Sequence, residues 1–155
     1  MTHGHPAIAK LDTTEHLGGL ALIAPWTSLD YQAQENLVCR GDILTPYVAG
    51  PWSRAYLWYS KRDYYTDPST APFTWFRDFP VKQVLILAGQ NEIMLPDIKD
   101  FVANFKAGSP QVEFFIGKRE AHVALLYNLY IGDNVETGQG KKLIKWLEGV
   151  LKGDP

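Results

Sequence analysis

Two residues whose side chains can share a proton follow neighbouring apolar runs of this sequence. Glu92 lies in the segment Gly89–Asp97 and His122 ends the segment Gly117–His122. If both runs are parallel strands, their carboxyl ends meet at the edge of the sheet where open α/β folds place their active sites. An imidazole acting as general base needs a carboxylate to hold its tautomer. We therefore predict that Glu92 and His122 form a catalytic pair; the alternative is an ordinary loop carboxylate and a surface histidine.

Other residues that could bind a metal or act as a nucleophile give weaker evidence of a site. His3 and His5 form an H-x-H pair, but no cysteine or carboxylate cluster completes a metal site nearby. Cys39 has no C-x-x-C partner, which favours a structural residue over a catalytic thiol. We therefore expect no metal and no cofactor.

The elements that must position the pair are apolar runs of strand length: Gly18–Pro25, Gln83–Ala88 and Val112–Ile116. Apolar runs without alternation are typical of strands covered on both faces, as in a parallel sheet. We predict an α/β fold with a short parallel sheet of about three strands, in the order one-two-three, flanked by helices.

Helices are indicated between and after these strands. A crossover helix opens at Pro96, where apolar residues recur at helical spacing: Ile98, Phe101, Val102 and Phe105. A C-terminal helix shows the same period: Leu143, Leu147, Val150 and Leu151. About sixty residues separate the first two strands, enough for a helical insertion, and the best helix there is Pro51–Lys61.

Composition excludes several functional classes. The chain has 155 residues, 46% of them apolar, and a formal charge of -2, so no long-range field attracts nucleic acid. No apolar run approaches the roughly 20 residues that span a bilayer, so no membrane span is expected. A lone cysteine and a start without a signal-peptide core favour a cytoplasmic protein. Residues 1–16 read as a leader or loop, and residues 17–155 as one domain portion.

Four short segments carry a family resemblance: Gly19–Trp26, Asp67–Pro68 with Ala71–Pro72 behind it, Gly89–Asp97, and Ala121–His122. In order and spacing they resemble the C-terminal half of the α/β-hydrolase fold, in the branch of carboxylesterases and lipases similar to hormone-sensitive lipase. The resemblance covers roughly residues 17–150. It implies that Glu92 is the catalytic acid, which is commonly Asp and in some fungal-type members Glu. It also implies that His122 is the catalytic histidine.

The chain departs from that family in lacking its nucleophile. The family's serine lies in a G-x-S-x-G elbow and its oxyanion hole in an upstream H-G-G loop. The serines of this chain have no such surroundings: Ser28, Ser53, Ser60, Ser69 and Ser109. The segment His16–Gly19 (HLGG) is superficially similar to the oxyanion loop, but it runs directly into the first predicted strand. We interpret the chain as a C-terminal half that holds two members of a triad.

Three functions are compatible with these observations. The chain is the acid and histidine part of a carboxylic ester hydrolase, active only with its N-terminal half. Alternatively, it is a stand-alone pseudoenzyme that binds a small molecule, or a repurposed catalyst in which Glu92 and His122 transfer protons without acylation. The expected partners are an apolar ester or other small hydrophobic molecule, and a second copy or a partner chain at the exposed edge of the first strand.

An aromatic band in the insertion has two interpretations. It forms either a hydrophobic acyl or sterol pocket, or the packing surface of the inserted helices. Its members are Trp52, Tyr56, Trp58, Tyr59, Tyr64, Tyr65, Phe73, Trp75 and Phe76.

Overall fold

The computed structural model describes residues 16–29 and 41–153. The predictions for His3, His5 and Cys39, and for all of the leader 1–16 except His16, lie outside these residues. The element order is β1 (Leu20–Ile23), α1 (Pro46–Leu57), two short 3-10 helices (Pro68–Thr70 and Phe73–Phe76), β2 (Val84–Gly89), α2 (Leu95–Gly108), β3 (Val112–Gly117), α3 (Ala124–Tyr130) and α4 (Gly138–Lys152). No helix among the described residues is both long and apolar enough to cross a membrane.

The sheet has the predicted topology: three parallel strands in the order β1-β2-β3. Leu20 pairs with Val84, and Val84 pairs in turn with Val112. Every residue of β2 is buried, as expected for a central strand covered on both faces. The four residues of β1 are only half-buried. In β3, Glu113 is exposed and the next three residues are half-buried. Cover on both faces was therefore wrong for β1 and β3, because both are edge strands among the described residues.

Two helices form where the apolar period predicted them, but only α2 buries its whole predicted face. In α4, Leu147 and Leu151 are 40% and 84% exposed, because no element of the described residues covers them. In α2 the four predicted core residues are buried: Ile98, Phe101, Val102 and Phe105. The core beside α2 is aromatic, with the rings of Phe76 and Phe105 stacked at 4.7 Å between centroids. Helix α4 begins at Gly138, where the side chain of Thr137 accepts a hydrogen bond from the Gly140 amide.

The inserted helix differs from its prediction. It spans Pro46–Leu57 and contains Pro51 in its interior, whereas the prediction was Pro51–Lys61. The helix ends early because Trp58 leaves helical geometry, with φ 51°. Proline favours the first turn of a helix, and Pro46 occupies that position instead. Pro51 has no N–H to donate to the carbonyl of Tyr47 one turn earlier, which weakens the helix there without ending it. Helix α3, only seven residues long, was not predicted.

Asp67 stabilises the insertion from inside. The residue is only 2% exposed. Its carboxylate accepts hydrogen bonds from the Leu29 amide at 2.6 Å and from the Arg62 guanidinium at 2.8 and 2.9 Å. Burial alone would raise the pKa of Asp67, but the bonds from Arg62, Leu29 and Thr66 favour the charged form and hold the pKa below its ordinary value. The Asp67–Pro68 segment thus has a structural role here.

Candidate active site

The structure brings Glu92 and His122 into direct contact. The Nδ1 atom of His122 lies 2.5 Å from Oε1 of Glu92. The Glu92 side chain is fully buried, while 17% of the His122 side chain remains exposed. Both residues follow the carboxyl ends of adjacent strands, β2 and β3, where the sequence placed them. The contact is established; the catalytic role of the two residues remains a prediction.

With an ionised carboxylate at Glu92, its hydrogen bonds assign the proton of His122 to one ring nitrogen. The second carboxylate oxygen, Oε2, accepts a bond from the Gly89 amide at 3.0 Å. An ionised carboxylate can only accept, so Nδ1–H of His122 must donate to Oε1. In the neutral imidazole Nε2 then has a free lone pair. This is the tautomer that a general base requires.

Gly89 permits the two loops to approach. A Cβ atom at this position would lie 2.4 Å from the carbonyl oxygen of Glu120 and 2.5 Å from that of Ala121. Both atoms belong to the backbone of the β3–α3 loop, which carries His122, so they cannot move as a side chain could. The last residue of β2 must therefore be glycine for His122 to reach Glu92.

The β3–α3 loop is also anchored to the C-terminal helix. The Glu120 carboxylate accepts hydrogen bonds from the amides of Gly138 at 2.5 Å and Gln139 at 3.1 Å, in the first turn of α4. A carboxylate at a helix N-terminus satisfies unpaired amides and interacts favourably with the helix dipole. The Glu120 carbonyl accepts a further bond from the Asn91 amide at 2.9 Å. These contacts restrict the backbone on both sides of the candidate pair.

The residue after His122 has an unusual backbone. Val123 has φ 46° and ψ 33°, in the left-handed region, and it precedes helix α3. A β-branched residue rarely adopts this conformation, and such strain clusters at functional sites. The loop around His122 is therefore held in a conformation that its own sequence disfavours.

Asp42 is a site residue that the sequence reasoning missed. Its Oδ1 accepts a hydrogen bond from the His122 amide at 3.0 Å, and its Oδ2 accepts one from the Ile93 amide at 2.8 Å. Asp42 lies far from both residues in the chain and belongs to none of the patterns described above. Only the tertiary structure reveals its position.

No serine of residues 16–29 and 41–153 is hydrogen-bonded to the pair. All five serines are among the described residues, and none of the hydrogen bonds found there links a serine hydroxyl to His122. Ser28 and Ser53 are buried. The segment Gly18–Gly19 precedes β1, at the opposite end of the strands from Glu92, so it is not placed to serve as an oxyanion loop.

The aromatic band is divided between a groove and the surface. Part of it lines an apolar groove of about 260 Å³ beside β1: Tyr64, Tyr65, Trp75 and Phe76, with Leu20, Leu22, Pro68, Phe79, Phe101 and Phe105. Other members are exposed: Trp52, Tyr56, Trp58 and Tyr59. Neither Glu92 nor His122 is among the residues that line this groove.

Solved structures with the same fold are esterases and lipases. The chain is 22% identical to a hormone-sensitive lipase from a metagenome library, with a TM-score of 0.68 over 86% of this chain and 44% of that one. It is 14% identical to a mutant of the esterase rPPE complexed with (S)-Ac-CPA, with a TM-score of 0.66 over 86% and 41%. It is 17% identical to carboxyl esterase 2 of the mycorrhizal fungus Tuber melanosporum, with a TM-score of 0.58 over 84% and 42%.

No family model and no curated protein matches the chain significantly. The likeness to the solved structures shows the fold alone: the described residues have the same α/β fold as the matching part of the hormone-sensitive lipase structure. The chain spans less than half the length of each of these three structures.

Proposed function

We propose that this portion of an α/β-hydrolase fold supplies the acid and the histidine of a Ser-His-acid triad that hydrolyses carboxylic esters. His122 is the general base and then the general acid, and Glu92 orients its imidazole. The observation that carries the proposal is the 2.5 Å contact between Glu92 and His122 at the carboxyl ends of adjacent strands. The esterases and lipases that share the fold support the choice of substrate class.

The proposed chemistry uses the free nitrogen of His122. Nε2 accepts the proton of a serine hydroxyl while the serine oxygen bonds to the acyl carbon of the ester. The resulting imidazolium returns this proton to the leaving alcohol as the ester C–O bond breaks. Water then attacks the acyl-serine by the same route, and the carboxylic acid leaves. Glu92 stays ionised and stabilises the imidazolium in both halves of the reaction.

In this proposal, a polypeptide outside these 155 residues supplies the nucleophile. The sequence has no G-x-S-x-G elbow. More than half of each of the three structural neighbours lies outside the region of similarity. A complementary polypeptide that carries the elbow and the oxyanion loop would complete both the sheet and the triad.

The free edge of β1 is the place where we expect that polypeptide to pair. The Leu20 amide donates to the carbonyl of Gln83, just before β2, at 2.9 Å, and the Ala24 amide donates to that of Leu87 in β2 at 2.8 Å. Because strand amides alternate in direction, the amides of Ala21 and Ile23 face the other edge, where no strand of the described residues lies. Pairing with a second copy is the alternative at this edge.

A second candidate function is binding of a small apolar molecule without hydrolysis. The aromatic groove beside β1 favours it, because about 260 Å³ of nearly apolar space is open among the described residues. This function does not need a serine. The cytoplasm remains the expected compartment for either function, on the evidence of the single cysteine.

Reconstitution decides between the two candidates. The DNA upstream of the codon for Met1 is translated in frame and searched for a G-x-S-x-G elbow within about 150 residues. The polypeptide that it encodes is co-expressed with this chain, and hydrolysis of p-nitrophenyl butyrate is measured. Turnover that is lost in His122→Ala supports the hydrolase. An upstream region without an elbow, or a complex that is inactive although assembled, contradicts it.

A further inference from the structure

We propose that Asp42 is a positioning residue, whose carboxylate fixes the placement of the Glu92 loop relative to the His122 loop. The proposal deepens the hydrolase function above, because it assigns a role at the same site. It concerns the geometry of the pair, which exists in this chain without a nucleophile.

The carboxylate of Asp42 joins the two loops that carry the pair. Oδ2 accepts from the Ile93 amide, one residue after Glu92, and Oδ1 accepts from the amide of His122 itself. The two donors are 51 and 80 residues away from Asp42 in the chain. A single planar group therefore sets the distance between the backbone beside Glu92 and the backbone of His122.

Asp42 is itself held in place. Its Oδ1 accepts another hydrogen bond, from the Ile43 amide at 2.8 Å. Three amide donors around one carboxylate satisfy most of its acceptor capacity, and bonds to an ionised acceptor are stronger than neutral ones. The side chain consequently has little freedom to turn away from either loop.

The role requires a carboxylate and not merely a polar side chain of the same shape. Asparagine has one acceptor oxygen, and its NH2 group would face one of the two amide donors. In Asp42→Asn either the Ile93 or the His122 amide would be left unpaired. In Asp42→Ala both would be unpaired.

The test observes the pair directly by NMR on the 155-residue chain. The proton of His122 Nδ1 gives a low-field resonance when it is donated to Glu92, and the line is assigned by its loss in His122→Gln. In Asp42→Asn and Asp42→Ala we expect this line to move upfield or vanish, and hydrogen exchange at the His122 amide to rise by about 10–100-fold. Asp42→Asn is the milder change, and it keeps the test valid if Asp42→Ala does not fold.

Two control variants separate positioning from general destabilisation. Asp133→Asn removes a carboxylate that accepts from the Val135 amide and from Asn128, away from the pair. Ile98→Val lowers the melting temperature through the core of α2, where Ile98 is fully buried. Both should keep the low-field line. If the Asp42 variants keep it as well, or if the unaltered chain lacks it, the positioning role is overturned.

These outcomes are independent of the outcome for the hydrolase. A low-field line that responds to Asp42, combined with an assembled but inactive reconstituted complex, supports the positioning role and rejects ester hydrolysis. An active complex whose kcat is unchanged by Asp42→Asn supports hydrolysis and rejects the positioning role.

Discussion

Nδ1 of His122 and Oε1 of Glu92 lie 2.5 Å apart, although 30 residues of chain separate them. The histidine is partly exposed and the carboxylate is not. The histidine side of the pair is therefore partly open to solvent, whereas the carboxylate side is enclosed by the protein. This asymmetry is the physical basis of the first prediction.

Glu92→Gln should reduce kcat for ester hydrolysis in the reconstituted enzyme by about 10³–10⁴-fold. The amide cannot stabilise the imidazolium, and it can favour the wrong tautomer by donating to Nδ1. Stopped-flow measurements with p-nitrophenyl acetate measure the loss. The matched control is Glu113→Gln, which removes a half-exposed carboxylate paired with Lys142. An equal loss in both variants would contradict the special role of Glu92.

The 155-residue chain by itself should show little hydrolysis of p-nitrophenyl esters. An acid and a histidine without a nucleophile retain only a small residual rate. A labelled serine-reactive phosphonate should likewise fail to mark the chain. Robust turnover that survives replacement of all five serines, but is lost in His122→Ala, would instead favour direct proton transfer by the pair.

Gly89→Ala should lower the free energy of unfolding by about 1–3 kcal/mol. The added Cβ meets two carbonyl oxygens of the β3–α3 loop at 2.4 and 2.5 Å, so that loop must move away from β2. Thermal unfolding by circular dichroism measures the change. Gly149→Ala in α4 is the control, because its Cβ meets nothing within 4 Å. It should raise stability by about 0.5–1 kcal/mol through helix propensity, and the reverse order of the two variants would contradict the steric argument.

Asp67→Asn should destabilise the chain by about 1–3 kcal/mol at neutral pH and flatten its acid unfolding. The pKa of Asp67 is lowered in the folded state. Its stabilising contribution is therefore fully present above the unfolded-state pKa, about 3.9, and is lost as the pH falls through the folded-state pKa. Urea unfolding between neutral pH and pH 2 measures this slope. Asp78→Asn, at an exposed position, should leave the slope unchanged.

The purified chain should self-associate or bind a partner through β1. Light scattering at tens of micromolar measures its mass, and Ala21→Pro should lower that mass because it blocks an outward amide without removing a bond to β2. Leu22→Pro is the contrasting variant, since its amide faces β2 and its loss should destabilise the sheet itself. A stable monomer with slow amide exchange along Leu20–Ile23 would show that the edge is already protected.

Sequence patterns predicted the helices and strands that depend on the local spacing of apolar residues. Helix α2 was visible because its buried residues recur with the period of a helix, and the strands because each is a short apolar run beside glycine. Glu92 and His122 could be predicted together because parallel strands end at one edge. The start of α1 could not, because both Pro46 and Pro51 fit the first turn and only tertiary packing chooses between them.

Asp42 could not be predicted for a different reason. Its carboxylate accepts hydrogen bonds from backbone amides 51 and 80 residues away. Nearly every residue has such an amide, so the sequence does not indicate which ones will be the donors. The side chains of Glu92 and His122 indicate their chemistry directly, whereas the role of Asp42 depends on which loops lie next to it in the folded chain. The edge position of β1 could be predicted, because the strand order one-two-three places the first strand at an edge of the sheet.

Both partners of each hydrogen bond described around the pair lie between residues 42 and 139. On the proposed function, the fold can therefore be cut in two without breaking any of these bonds, with the serine on one piece and a finished acid–histidine pair on the other. Such a division suits a split reporter. Two proteins fused to the pieces would generate colour from a chromogenic ester only when they meet, and Ala21→Pro would set how strongly the pieces join unaided.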